Sequence, residues 1–122
     1  MWIDLFRERD TPAARRLRAL IESDAPVALT AGALFELLCG TRSPDAAAFE
    51  QDLRSFPILR PSAADYRSAA ELFRIARDSG QTVRAGIDCL IAATCIRTES
   101  LLLHSDSDFE RLAACTPLRI FS

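Results

Sequence analysis

The sequence predicts an α/β domain built around a parallel sheet. Short apolar runs of strand character alternate with longer amphipathic stretches of helical period, and cap or turn residues punctuate nearly every junction. The chain has 122 residues, a size at which one hydrophobic core closes without disulfide or metal staples. No stretch repeats and no tract is of low complexity, so one domain over residues 1–122 is expected.

Thr11-Pro12 is a cap followed by a first-turn proline. The segment ARRLRALI then sets Leu17, Leu20 and Ile21 at i, i+3 and i+4, one face of an amphipathic helix. Past Ser23-Asp24-Ala25-Pro26, VALT (27–30) has strand character, and AGALFELLCG (31–40) reads as a buried helix stopped by Gly40. Ser43-Pro44 repeats the cap signal for a helix with Ala47, Phe49 and Leu53 at its apolar positions, ending near Ser55. The segment Pro57-Ile58-Leu59-Arg60-Pro61 is extended but hemmed by prolines, so its strand is short.

Ser62 and Asp65 form an acidic variant of the capping box ahead of a long amphipathic stretch through Asp78, and Gly80 supplies the stop. The last third alternates again. A helix from Ile87 to Thr98 leads to a strand SLLLH (100–104), a short helix DFERLAAC and a final strand LRIF (118–121).

Apolar residues make up 49% of the chain and charged residues 26%, an ordinary globular composition. No apolar run approaches the roughly 20 residues of a membrane span, and Met1 to Asp10 lack the features of a signal peptide, which favours the cytoplasm. Cys39, Cys89, Cys95 and Cys115 stand singly, and a disulfide framework is not expected. The net charge of −2 argues against non-specific nucleic-acid binding, so any nucleic acid must be held locally. All 15 basic residues are arginine. That favours bidentate phosphate contacts, although codon bias is the simpler account.

In open parallel sheets, ligands collect beyond the carboxyl ends of strands, and three acidic places lie near such ends. Glu36 interrupts the apolar ALFELLCG soon after VALT; its plain alternative is a solvent-facing position, at even odds. Asp88 precedes the apolar run Cys89-Leu90-Ile91-Ala92-Ala93, where taken alone it reads better as an N-cap or first-turn acid satisfied by the helix's free amides and dipole. Asp106 and Asp108 follow LLL directly, and either serves as a helix cap. As a set they suggest more, because clustered like charges are costly without a cation. Hard oxygen ligands select Mg²⁺ or Mn²⁺, and that chemistry suits phosphodiester hydrolysis.

Other chemistries fare worse. The only histidine, His104, has no nucleophile elbow beside it and cannot build a zinc site with dispersed thiols, so it reads as structural or peripheral. Four widely spaced glycines give no phosphate loop. A receiver-like signalling domain lacks the late lysine it needs.

WIDLFR near the start, the helical Glu36 in ALFELLCG, GIDCLIAATCI and LLLHSDSDF occur in an order and at distances that resemble PIN-domain ribonucleases of VapC type over nearly the whole chain. The resemblance implies a three-layer α/β/α sandwich with a central parallel sheet. It also implies Mg²⁺- or Mn²⁺-dependent cleavage of RNA by a toxin that a cognate VapB-type antitoxin holds inactive. By the same resemblance Glu36, Asp88 and Asp106 are the second, third and fourth acids and metal ligands, with Asp108 an auxiliary catalytic acid. The antitoxin is expected to cover an apolar groove and to insert an arginine among the carboxylates. A homodimer is expected as well, with faces around Trp2, Leu5 and Phe6 as candidates beside a core role for each.

The family opens with a short apolar strand ending in its first aspartate, a few residues before the position of Trp2. The sequence begins after that point, so the expectation is of a member lacking the first strand and first acid, with its true start upstream. Asp4 does not replace that acid, because WID continues into a helix. Hence a second reading, a catalytically impaired PIN pseudoenzyme that only binds an antitoxin or itself, stands beside the nuclease.

Overall fold

The structure is a computed structural model that describes residues 1–121, apart from the side chains of Ile3 and Phe6. Its residues fall into two compact units, one from Met1 to Leu59 and one from Arg60 onward.

In the first unit, α1 (Trp2–Phe6) leads to α2 (Pro12–Glu22). The predicted cap forms: Thr11 is extended, its hydroxyl accepts the Ala14 N–H at 3.1 Å, and Pro12 occupies the first helical position, where no N–H is missed. Ala13, Ala14 and Leu17 are buried, while Leu20 and Ile21 are half-buried. Trp2 is buried with its ring edge-on to Phe56, centroids 4.9 Å apart, so of its two proposed roles it takes the core one. Leu5 is half-buried, and the Phe6 side chain lies outside the described residues.

The strands are real but shorter than the sequence suggests. Strand β1 is only Leu29–Thr30 and β2 only Ile58–Leu59, paired in parallel with Leu29 opposite Ile58. Strand β1 keeps the last two residues of its predicted run, and β2 the two residues between Pro57 and Arg60. Thr30 ends β1 because its hydroxyl caps α3 (Ala31–Cys39), accepting the Ala33 N–H at 3.1 Å. Pro57 and Pro61 bracket β2 without N–H donors, although the Pro57 carbonyl extends the ladder by accepting the Leu29 N–H at 2.8 Å.

The expectation that residues 31–40 form a buried helix is corrected. Helix α3 forms, but none of its residues is fully buried, and Phe35 is 60% exposed. An all-round apolar sequence reports composition, whereas burial requires neighbours on every side. Gly40 ends the helix in a right-handed conformation, so its freedom at positive φ is not used. A 3₁₀ turn over Ser43–Asp45 leads into α4 (Ala46–Leu53); Leu53 is buried and Phe49 half-buried, but Ala47 is exposed.

The second unit is organised by α5 (Ala63–Asp78), α6 (Gly86–Arg97) and α7 (Ser107–Cys115). The expected capping box is complete: Ser62 Oγ accepts the Asp65 N–H at 3.3 Å, and Asp65 Oδ2 accepts the Ser62 N–H at 2.8 Å. Gly80 has φ +76°, the left-handed conformation that favours glycine after a helix. Helix α6 contributes Cys89, Ile91, Ala92, Ala93 and Cys95 to a core closed by Ala69, Leu72 and Ala76 of α5 and by Phe109 and Leu112 of α7. Small residues on α5 and α6 let the two backbones approach closely. Of the predicted strands SLLLH and LRIF, a single parallel bridge between Leu102 and Ile120 remains. It is held by Leu102 N–H to the Arg119 carbonyl at 3.0 Å and Phe121 N–H to the Leu102 carbonyl at 2.8 Å.

Asp65 is also the buried partner of Arg97, whose Nε lies 2.9 Å from Oδ2 and whose Nη2 donates to the Arg60 carbonyl at 2.9 Å. Burial pulls the Asp65 carboxyl upward, but the Ser62 N–H and the Arg97 guanidinium outweigh it and hold the group below 3.8. A depressed carboxylate stabilises the fold above its unfolded pKa and loses that contribution as pH falls through the folded value. Asp65→Ala is therefore expected to cost about 2 kcal/mol in urea unfolding at pH 7, discounted for the half-exposed arginine. The gap to wild type should persist at pH 5 and close only below the ordinary carboxylate range.

Candidate functional site

Asp88, Asp106 and Asp108 each present an oxygen so placed that all three atoms lie within 4.8 Å of one another. Each arrives there by a different local device. Asp88 is the third residue of α6, after the cap residue Ala85, in the first turn, where the helix dipole favours a negative charge. Asp106 is the cap of α7, its Oδ1 accepting the Asp108 N–H at 3.0 Å. Asp108 sits in the first turn of that same helix. Asp88 is thus a first-turn acid rather than a cap, Asp106 is a cap, and from these positions both present oxygens beside Asp108.

The three differ in environment. Asp88 is 3% exposed and Asp108 1%, whereas Asp106 is partly open to solvent. Asp108 is anchored from two elements: its Oδ2 accepts the Arg84 N–H at 3.1 Å, and its Oδ1 faces Arg84 Nε at 3.4 Å and Arg111 Nη1 at 2.8 Å. Burial alone would raise its pKa. The Arg84 N–H, a hydrogen bond shared with Asp88 and the Arg84 charge together bring it below 3.8. Arg84 Nη2 also reaches Asp106 Oδ1 at 3.5 Å.

His104 takes the structural role expected of it. Its Nδ1 accepts the Asp106 N–H at 3.1 Å, which leaves a proton on Nε2 for Glu110 Oε1 at 3.0 Å. Its ring rests 5.3 Å from that of Phe109, so the imidazole braces the turn that presents Asp106. Cys89, beside Asp88, is buried and its thiol is pushed up to about 11 by burial and by the neighbouring Asp88 and Asp108 charges. Cys95 is raised likewise to about 11 by burial. Neither is a nucleophile at neutral pH. Cys115 is half-buried and Cys39 exposed, so the thiols are less uniformly buried than their apolar surroundings suggest.

Glu36 belongs to the first unit, where it is exposed on α3. Sequence reasoning missed Arg84 and Arg111. The i, i+3 spacing of Asp108 and Arg111 on one helix was a readable signal. The pairing of Arg84 with Asp108, 24 residues away, had none.

The donor set suits a hard divalent cation: all three groups offer oxygen, and Asp88 and Asp108 lie close enough to share a side-chain hydrogen bond. Two buried carboxyls that close are eased by a positive species between them, which a shared proton or a divalent cation can supply.

The PIN domain family matches residues 1–114 of the chain. The VapC ribonuclease Mb1587 of Mycobacterium bovis and the ribonuclease VapC11 of Mycobacterium tuberculosis are each 35% identical to it over 124 aligned positions, covering 99% of this chain and 92% of theirs. The α/β fold expected from the sequence is that of this family, and the chain belongs to the PIN-domain proteins. Within them it is of VapC type. No helix among the described residues is long and apolar enough to cross a membrane.

The unequal burial of the acids sets an expectation for stability. Asp108→Asn, which leaves two guanidinium groups without their carboxylate, should cost about 2–4 kcal/mol in urea unfolding. Asp106→Asn keeps a good helix cap and should stay within about 0.5 kcal/mol of wild type.

Proposed function

We propose that this chain is the toxin of a toxin-antitoxin pair and acts as a Mg²⁺- or Mn²⁺-dependent endoribonuclease, working in the cytoplasm as one PIN-like domain over residues 1–122. The observation that carries this reading is the convergence of Asp88, Asp106 and Asp108 within 4.8 Å in a chain whose VapC relatives are named ribonucleases. Asp88 and Asp106 are assigned as metal ligands. Glu36 joins them by correspondence with the family acids alone, and Asp108 is the auxiliary acid that braces the set.

A bound divalent ion would polarise the scissile phosphoryl oxygen and ease deprotonation of the attacking water. The chain's own residues prepare that place. The buried Asp88 and Asp108 fix one wall, and Asp106, more open to solvent, forms the side that substrate can approach. His104 holds the Asp106 backbone so that its carboxylate keeps station without rearranging on binding. A VapB-type antitoxin placing an arginine among these acids would compete with metal and RNA at once. A homodimer belongs to the same reading.

The test is cleavage of a mixed RNA pool in Mg²⁺ and in Mn²⁺. It compares the 122-residue chain with its Asp88→Ala variant. The expected result is cleavage that chelator abolishes and that Asp88→Ala reduces on the order of 100-fold or more. Well-folded protein that cleaves in neither Mg²⁺ nor Mn²⁺ would leave the binding-only pseudoenzyme as the correct reading.

A further inference from the structure

The carboxylate cluster carries a loosely held cation of its own. Arg84 precedes α6, and its backbone N–H is tied to Asp108 Oδ2 at 3.1 Å. Its guanidinium reaches two acids, Nε to Asp108 Oδ1 at 3.4 Å and Nη2 to Asp106 Oδ1 at 3.5 Å. Both contacts lie at the outer limit of hydrogen bonding, whereas Arg111 meets the same Asp108 oxygen at 2.8 Å. The Arg84 side chain is 68% exposed, that of Arg111 39%. Arg84 is therefore fixed at its backbone and free to redirect its charged end, while Arg111 is fixed at its charged end.

We propose that Arg84 binds the RNA phosphate at this site, exchanging its carboxylate contacts for the phosphodiester when substrate arrives; the inference rests on the nuclease reading above. The exchange follows from competing electrostatics. A divalent ion on the acids lowers the negative potential that keeps the guanidinium beside them, and a phosphodiester offers paired oxygens that match its fork. The backbone bond to Asp108 does not involve the side chain, so the arm redirects while its Cα stays at the site. In the absence of substrate, the same charge screens Asp106 from Asp108 and opposes metal entry.

Arg84→Gln keeps the backbone N–H and removes only the charge, and Arg84→Lys keeps the charge without the fork. The probe is a labelled mixed-sequence single-stranded RNA, titrated by fluorescence anisotropy in Ca²⁺. Arg84→Gln is expected to weaken binding about tenfold and to flatten the slope of log affinity against log salt by about 0.7. Arg84→Lys should recover part of the affinity. Mn²⁺ alone, followed by electron paramagnetic resonance, should bind Arg84→Gln at least as tightly as wild type. RNA affinity unchanged in Arg84→Gln overturns the proposal, and so does weaker Mn²⁺ binding, which marks a structural role. Should Arg84→Gln lose its helical circular dichroism, Arg84→Lys carries the test, and affinity equal to wild type overturns the proposal. Wild-type protein that binds no RNA overturns the nuclease reading as well, whereas equal binding by wild type and variants removes only the role of Arg84.

Discussion

A single buried carboxylate organises the second unit's functional end. Asp108 is almost inaccessible, yet it accepts hydrogen bonds from a backbone N–H and a side chain of the segment before α6 and from Arg111 on its own helix. A buried, unpaired carboxylate is costly enough to be avoided, so the Arg84 N–H and the Arg111 guanidinium are obligatory partners. Satisfying them ties the start of α7 to the approach of α6. Because Asp88 stands in the first turn of α6 and Asp106 caps α7, the same tie brings both beside Asp108. The acidic cluster is a consequence of that anchoring as much as a cause of it.

The apolar packing around this anchor makes it possible. Cys89, Ile91, Ala92 and Ala93 of α6 meet Ala69, Leu72 and Ala76 of α5 and Phe109 and Leu112 of α7, a core of small and branched side chains. It excludes water from one side of the carboxylates while Asp106 keeps the other side open. Low polarity on one flank strengthens every charge interaction at the cluster, and the open flank gives a polyanion a way in. The pairing of Asp65 with Arg97 works at the opposite end of α5 and α6. It fastens the capping box of one helix to the last turn of the other.

Where reading of the sequence and the folded chain diverge, the divergence has local causes. VALT and the proline-bracketed ILR each keep only two residues in a strand; VALT ends where expected, at Thr30, which caps α3, and proline beside ILR has no N–H to give. SLLLH and LRIF keep one bridge between them. Helix α3 is as apolar as a core helix and yet leaves Phe35 in solvent. Apolar runs announce that a segment prefers to be covered; they carry no information on what covers it.

The sequence by itself determined the order of the helices, the caps at Thr11 and Ser62, the stop at Gly80, and a set of candidate acids that includes Asp88, Asp106 and Asp108. These are legible because caps, first-turn acids and helical periods are rules between residues a few positions apart. The family is legible too, since the acids and apolar runs recur in order along the chain. Only the tertiary structure decided that Arg84 lies against Asp108, that His104 braces Asp106, and that two of the acids are buried and one is open. Arg84 reaches Asp108 from 24 residues away, brought there by the core. That pairing is fixed by packing in three dimensions, and no spacing along the chain encodes it, unlike the i, i+3 pair of Asp108 and Arg111.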